Sequence, residues 1–243
     1  MNLWVNRADG SVWFSALGNY IVHLTVNGQI KTYPIPSPNS MPMGVTGDSQ
    51  GNIWFSEMFT NKIGVVRTTG QIDEFDVPTP LALPTGLAVD QYDNVWFTES
   101  GMGKIGVLRK TGGFNEYKLP IGGHPMGINY CSTQKTQNVV WFTETIGNTI
   151  GSITQDGKIT QYKLPTPLST PMMVMEDMVG NVWATELDKS QIARLRADRT
   201  TITEYATPTR LSMPMGLGVD PNNGSVWFSE LRGNNLGQLI PLD

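Results

Sequence analysis

The 243-residue chain predicts an all-β fold, a six-bladed β-propeller of four-stranded antiparallel blades whose last blade lacks its outer strand. Three observations predict it. A Trp-Phe-Ser/Thr-Glu tetrad returns six times, anchored at Trp13, Trp54, Trp96, Trp141, Trp183 and Trp227, at intervals of 41, 42, 45, 42 and 44 residues. That period fits a four-stranded blade and exceeds a leucine-rich or ankyrin unit. Each copy also breaks into four short runs rich in Val, Ile, Trp, Phe and Tyr, separated by Gly, Asn, Asp and Pro, as strands joined by hairpins do. No stretch keeps a helical period.

The second copy shows the elements in order. Pro42-Met43-Gly44 opens the innermost strand, and Gly51-Asn52-Ile53-Trp54-Phe55-Ser56-Glu57 is a turn followed by the second strand. Asn61-Lys62-Ile63-Gly64 turns into the third, and Gly70-Gln71-Ile72 turns into a fourth that holds Glu74-Phe75. Pro78-Thr79-Pro80 leads to the next blade. The blades therefore fall near 1–41, 42–83, 84–124, 125–170, 171–213 and 214–243, in a single domain 1–243.

Proline stands 12 residues before tryptophan in three copies (Pro42, Pro84, Pro171), 13 before in the last (Pro214) and 16 before in the fourth (Pro125). Twelve residues before Trp13 lies Met1, so the first strand is expected to begin with the chain. The sixth copy is expected to reach Asp243 without an outer strand. Since no strand is left over to complete a blade at the other terminus, closure is expected to rest on packing or on a further piece of chain.

Lys and Arg number 17 against 21 Asp and Glu, a formal charge of −4 with both signs scattered. A nucleic-acid surface needs clustered cations, so that partner is excluded. The single cysteine, Cys131, leaves no internal disulfide. Met1-Asn2-Leu3-Trp4-Val5-Asn6-Arg7 lacks the apolar core of a secretory leader, and no membrane span is present. A cytoplasmic location without a membrane partner is the expectation; the oligomeric state is open.

Side chains alternate along a strand, so Trp54 and Ser56 should face one neighbouring blade while Phe55 and Glu57 face the other. The recurrent Trp and Phe are inter-blade packing; blade 5 departs with Ala184 after Trp183. Glu57, Glu99, Glu144, Glu186 and Glu230 occupy one equivalent position, with Ala16 in blade 1. A residue that recurs from blade to blade suggests a structural task, such as accepting hydrogen bonds from the neighbouring backbone, because catalysis needs asymmetry. One of the five could still be recruited to a site.

The Pro-x-Gly position varies more usefully. Its x residues are Met43, Thr85, Met126, Met172 and Met215, with Asn2 at the equivalent place in blade 1. They begin the innermost strands and should crowd the mouth of a central funnel. Met41 and Met213 precede their prolines, and Met173 and Met175 follow Met172, so at least seven of twelve methionines gather at blade mouths. Methionine fills gaps in cores and also makes adaptable apolar binding surfaces. His124, before Pro125, is the histidine placed to meet a ligand; His23 lies in an outer-strand hairpin. Lys62 and Lys104 read as solvated turn residues. No nucleophile elbow, phosphate loop, Cys/His metal box or EF-hand loop occurs.

The run Gly51–Glu57 with Asn61-Lys62-Ile63-Gly64, and Tyr162-Lys163-Leu164-Pro165-Thr166-Pro167 before the next blade, resembles the streptogramin B lyase (virginiamycin B lyase) family over nearly the whole chain. The resemblance implies a seven-bladed ring that opens a cyclic depsipeptide by elimination, with Mg²⁺ near the funnel and histidines in Pro-His-Gly/Ala at the mouths of late blades. The matching positions here carry Met172 and Met215, so the general base that elimination requires is missing. Glu230 is the nearest counterpart of the family's metal-binding glutamate, but its spacing is offset and no histidine stands beside it. Neither a metal nor another cofactor is expected.

A relative that has lost its acid/base pair and kept an apolar funnel suits a reaction that needs shape more than proton transfer. Positioning alone can lower a barrier by about 7–11 kcal/mol in well-oriented cases. The expected function is a metal-independent cyclase or pericyclase acting on a hydrophobic small molecule of natural-product type, for example by cycloaddition. Met43, Met126, Met172 and Met215 would shape the cavity, Asn2 and Thr85 would hydrogen-bond a substrate carbonyl, and His124 or Glu230 would polarise it. The alternatives are a non-catalytic propeller that binds a ligand or peptide and a Mg²⁺-dependent lyase.

Overall fold

A computed structural model describes residues 2–120, 123–131 and 138–241. Met1 and Asp243 lie outside the described residues, so the expectation about how the chain ends falls outside them too, while the first strand begins at Leu3 rather than at Met1.

The fold is the six-bladed β-propeller that the repeat predicts, built of small antiparallel meanders with almost no helix. Blade 1 comprises β1 (Leu3–Val5), β2 (Val12–Ala16), β3 (Tyr20–Leu24) and β4 (Ile30–Pro34). Blade 2 comprises β5 (Pro42–Gly47), β6 (Ile53–Glu57), β7 (Lys62–Val66) and β8 (Ile72–Asp76). Blade 3 comprises β9 (Pro84–Val89), β10 (Val95–Glu99), β11 (Lys104–Leu108) and β12 (Phe114–Lys118). Blade 4 comprises β13 (Pro125–Tyr130), β14 (Val139–Glu144), β15 (Thr149–Thr154) and β16 (Ile159–Lys163). Blade 5 comprises β17 (Pro171–Glu176), β18 (Val182–Glu186), β19 (Gln191–Leu195) and β20 (Ile202–Ala206), with a short 3₁₀ turn at Leu187–Lys189. Blade 6 has three strands, β21 (Pro214–Val219), β22 (Val226–Glu230) and β23 (Asn235–Leu239).

The chain divides into two compact units, Met1–Lys118 with blades 1–3 and Leu119–Asp243 with blades 4–6. In the first, Trp13 packs with Val45, Ile53 and Phe55 of blade 2, and Trp54 packs with Leu87, Val95 and Phe97 of blade 3. In the second, Trp141 meets Val174, Val182 and Ala184, and Trp183 meets Val226 and Phe228. The tetrad thus alternates as a strand must: tryptophan faces the following blade and phenylalanine the preceding one.

In blades 2, 3, 4 and 6 the tetrad phenylalanine imposes a second residue. Phe97 lies across the β11 strand, where a Cβ on its partner Gly106 would come within 2.2 Å of the ring. Gly64 beneath Phe55, Gly151 beneath Phe142 and Gly237 beneath Phe228 are constrained alike. Blade 5, the exception noted in sequence, divides the space differently: Ala184 pairs with Ala193, so two small side chains on facing strands replace one ring and one glycine.

Three of the tryptophans are held at the other edge by an acid six residues earlier. Trp54 Nε1 donates to Asp48 (2.9 Å), Trp96 to Asp90 (2.8 Å) and Trp183 to Asp177 (2.9 Å). The same carboxylates accept the amides of the hairpin turn, at Gln50 and Asn52 for Asp48, which fixes turn and core together.

Lys62 and Lys104 are not simply solvated. Each begins a third strand and pairs with a glutamate of the fourth, Glu74 and Glu116, at 3.2 Å. Those glutamates also accept the amide and hydroxyl of the preceding inter-blade loop, at Ser37 for Glu74 and at Thr79 for Glu116, so the lysine neutralises a carboxylate that clamps one blade to the next.

Candidate functional site at the blade mouths

The hydroxyl of the tetrad fixes each mouth. Ser56 Oγ accepts the amide of Gly44 (2.9 Å) in its own blade and donates to the carbonyl of Thr85 (2.6 Å) in the next. In the second unit, Thr143 accepts from Gly127 (3.0 Å) and donates to Met172 O (2.7 Å), and Thr185 accepts from Met173 (3.0 Å) and donates to Met215 O (3.2 Å). The x residue of Pro-x-Gly is therefore tied by its carbonyl to the preceding blade. The glycine is required by the same approach: a Cβ at Gly127 would lie 2.3 Å from Met172 O, and one at Gly44 would lie 2.7 Å from Thr85 O. This hydroxyl was not singled out in the sequence, although its presence as Ser or Thr in all six tetrads was the signal.

The residue before the mouth proline is strained in blades 2, 3, 5 and 6. Met41, Leu83, Thr170 and Met213 all adopt φ between 51° and 55°, a left-handed conformation that side chains other than Gly and Asn disfavour. Their carbonyls accept the amide that follows the tetrad glutamate, as in Leu231 N to Met213 O at 3.1 Å. His124 occupies this flanking place in blade 4, with its carbonyl held by the amide and hydroxyl of Thr145 at 3.1 Å each.

The x side chains are spared from inter-blade burial. Met43, Met126 and Met172 are half-buried and Met215 is exposed. Thr85 differs: it is buried, and its hydroxyl bonds Leu83 O and Ser100 Oγ at 2.9 Å each, so it is committed to its own blade. Asn2 takes the place of the glycine rather than that of x, since its amide donates to Ser15 Oγ as Gly44 does to Ser56. The counting from proline missed this one-residue shift because β1 pairs Leu3 with Phe14, whereas β5 pairs Val45 with Phe55.

The tetrad glutamates do not accept hydrogen bonds from the neighbouring backbone, as the sequence had suggested. Glu57, Glu99, Glu144 and Glu186 are fully buried, and both carboxyl oxygens of Glu99 find no donor among the described residues. Burial raises Glu57 to about 7, against a bond from Thr60 that favours its charge. Burial, together with the nearby charge of Glu116, raises Glu99 to about 8. Burial also raises Glu186 to about 8, with the nearby Ser169 hydroxyl opposing the rise and Glu204 adding to it. Near pH 7 Glu99 and Glu186 are therefore mostly neutral and Glu57 is partly so, which reduces the cost of an unpaired buried charge.

Glu230 has another setting. With Met215, Ser229, Leu231, Asn234, Asn235 and Leu236 it lines a cavity of about 420 Å³ on blade 6. The structure thus joins two of the residues singled out in the sequence, Met215 and Glu230, and adds Leu231 and Leu236 as apolar wall. His124, Met126 and Met172 belong to the neighbouring mouths of the same unit, and Met43 and Thr85 to the mouths of the first unit. Among the described residues no group of three or more His, Cys, Asp or Glu could hold a metal ion. Among them, too, no helix is long and apolar enough to cross a membrane.

The sequence profile of the Virginiamycin B lyase family matches residues 3–136 and 113–242. A solved streptogramin B lyase is 33% identical, with a TM-score of 0.90 over 97% of this chain and 77% of that one. A catalytically inactive histidine-to-alanine variant of virginiamycin B lyase from Staphylococcus aureus, solved with quinupristin, is also 33% identical, with a TM-score of 0.91 over 99% of this chain and 80% of that one. A gluconolactonase from Xanthomonas campestris shares the fold alone, at 16% identity and a TM-score of 0.67 over 92% and 80% of the two chains. No curated protein matches.

Proposed function

This chain belongs to the virginiamycin B lyase family, and from that premise we propose that it is an enzyme-type propeller that acts on a hydrophobic small molecule by shaping it, as a metal-independent cyclase or pericyclase. One observation carries the reading: Met172 and Met215 stand at the late-blade mouths with carbonyls locked by Thr143 and Thr185 and side chains outside the inter-blade core. A thioether neither takes nor gives a proton, but it conforms to an apolar surface.

A solved relative is catalytically inactive when one histidine becomes alanine. This chain has two histidines. His23 lies flat on Trp13, with ring centroids 4.0 Å apart, and is committed to blade 1. His124 flanks a mouth. A reaction driven by folding a flexible apolar substrate into a reactive shape needs neither imidazole. In this reading Met126, Met172, Met215, Leu231 and Leu236 supply shape, while Glu230 and His124 are the polar groups that orient a substrate carbonyl.

The test is incubation of the purified chain with flexible, hydrophobic polyunsaturated compounds in EDTA, followed by chromatography and mass spectrometry. An isomer of unchanged mass and new retention time is expected, and Met215→Trp, which fills the blade 6 cavity, is expected to abolish it. Opening of quinupristin that depends on Mg²⁺ would replace this reading with lyase chemistry. Binding without any chemical change would leave a ligand-binding propeller.

A further inference from the structure

We propose that the groove between blades 2 and 3, at the end of the blades opposite the mouths, binds a small aromatic carboxylate that pairs with Arg67. The groove encloses about 460 Å³, within the range of small-ligand pockets. It is separate from the methionine mouths: β5 leaves the mouth at Pro42 and runs to Gly47, and the groove begins at the turn that follows, with Asp48, Gln50 and Asn52.

Trp54, Phe75, Val95 and Leu108 form an apolar wall, and the charged residues that line the groove are Arg67, Arg109, Lys110, Asp48 and Asp93. Both acids are already supplied with donors. Asp48 accepts the amides of Gln50 and Asn52, the Asn52 side chain and the Trp54 indole at 2.8 to 3.0 Å. Asp93 accepts the amide and hydroxyl of Ser49 and the Lys110 ammonium at 2.7 to 2.9 Å. Arg109 is turned to its own blade, where it bonds Asn115 and Tyr117 and lies over Trp96. Arg67 differs. Its Nε donates to Asp73 at 2.7 Å and its guanidinium lies 5.7 Å from the Trp54 ring centroid, while Nη1 and Nη2 find no acceptor among the described residues. That outer pair of N–H groups is a planar fork matched to a carboxylate.

The equivalent grooves show what an occupied one looks like. Between blades 4 and 5, Arg199 lies over Trp141 at 4.6 Å and is held by Gly180 O at 2.7 Å and Glu176 at 3.2 Å. Between blades 1 and 2, His23 stacks on Trp13 at 4.0 Å, and the cavity there is about 250 Å³. Gly112 stands where Arg199 does. Each amide donates to the carbonyl of an arginine three residues earlier, Arg109 or Arg196, at 2.8 and 2.9 Å, and each backbone is left-handed, with φ of 92° and 64°. A Cβ on Gly112 would meet nothing within 4 Å. Blade 3 thus leaves open a space that blade 5 fills with a side chain. Val89, moreover, ends β9 where Glu176 ends β17, so this groove lacks the carboxylate that answers the guanidinium between blades 4 and 5.

A ligand that restores both missing pieces is an aromatic ring carrying one carboxylate. The ring would lie against Phe75, Val95 and Leu108 while the carboxylate accepts from the Arg67 fork, a bond in which both partners are charged.

The experiment is titration of the ¹⁵N-labelled chain with 2-naphthoate and with its neutral counterpart 2-naphthamide, followed at the backbone signal of Gly112 and the indole signal of Trp54. Saturable shifts of both signals are expected with naphthoate, and binding about tenfold weaker with naphthamide, the scale of one charge-assisted hydrogen bond. Arg67→Gln should remove that preference and Arg67→Lys should restore part of it. Gly112→Arg, which gives this groove the residue and backbone conformation of Arg199, should block both compounds. No saturable shift, equal affinity for the acid and the amide, or shifts confined to the mouth residues would each overturn the proposal. The comparison of the two compounds on the unaltered chain keeps the test valid if a variant fails to fold.

Discussion

The hydroxyl of Ser56 donates to the carbonyl of Thr85 at 2.6 Å while accepting the amide of Gly44 at 2.9 Å, so one buried oxygen ties the mouth of blade 2 to the mouth of blade 3. Removing it leaves a donor and an acceptor unpaired in a buried place. Ser56→Ala is expected to cost about 1–3 kcal/mol, read from urea denaturation. Ser56→Thr should retain most of the stability, because Thr143 and Thr185 make the same pair of bonds. Equal losses for Ala and Thr would show that volume, not the hydroxyl, matters there.

Phe97 and Gly106 should behave as one unit. Gly106→Ala forces a Cβ toward a ring atom 2.2 Å away and is expected to cost about 1–3 kcal/mol; Phe97→Ala is expected to cost about 3–5 kcal/mol. The double variant reproduces the pair Ala184–Ala193 that blade 5 already uses. It should lose less than the sum of the single changes by at least about 1 kcal/mol in a double-mutant cycle. Strict additivity would contradict shared packing of the two residues.

Stability should fall as the solution becomes alkaline. Glu57, Glu99 and Glu186 have folded-state pKa values of about 7, 8 and 8, raised from 4.5 chiefly by burial. For an acid raised on folding, the contribution is fully present below 4.5 and is lost as pH climbs toward the folded value, because the folded state holds a proton that the unfolded chain has released. Glu74 and Glu116 run the other way. Burial opposes their charge, but bonds from Ser37 and Lys62, and from Thr79 and Lys104, outweigh it and hold both below 4.5; their contribution is lost as pH falls through that range. Maximum stability is therefore expected at about pH 5 in a series of melting curves, and Glu99→Gln should raise the melting temperature at about pH 8 relative to the parent. A melting temperature that climbs steadily between those two values would contradict the neutral buried acids.

Much of this was legible in the chain because the repeat carries it. The spacing of the six tryptophans gave the blades, and strand alternation gave the direction in which Trp54 and Phe55 point. The strand shift that moved Asn2 from the x place to the glycine place was not visible, since it depends on the one-residue difference in pairing between β1 and β5. Nor was the fate of Thr85, whose hydroxyl is captured by Leu83 and Ser100 through the local turn. The glutamates misled for a physical reason: a recurrent place in a repeat announces a role, but whether a carboxyl is charged depends on the donors around it. Near Glu99 the described residues offer none.

The central claim is that the methionine mouths hold an apolar substrate and work without a histidine base or a metal ion. Methyl-¹³C-methionine spectra of the chain, recorded in EDTA with hydrophobic polyunsaturated compounds and paired with mass spectrometry of the same samples, test it most directly. The Met172 and Met215 methyl signals are expected to move on binding while an isomeric product accumulates. Unmoved methionine signals, together with Mg²⁺-dependent opening of quinupristin, would contradict it.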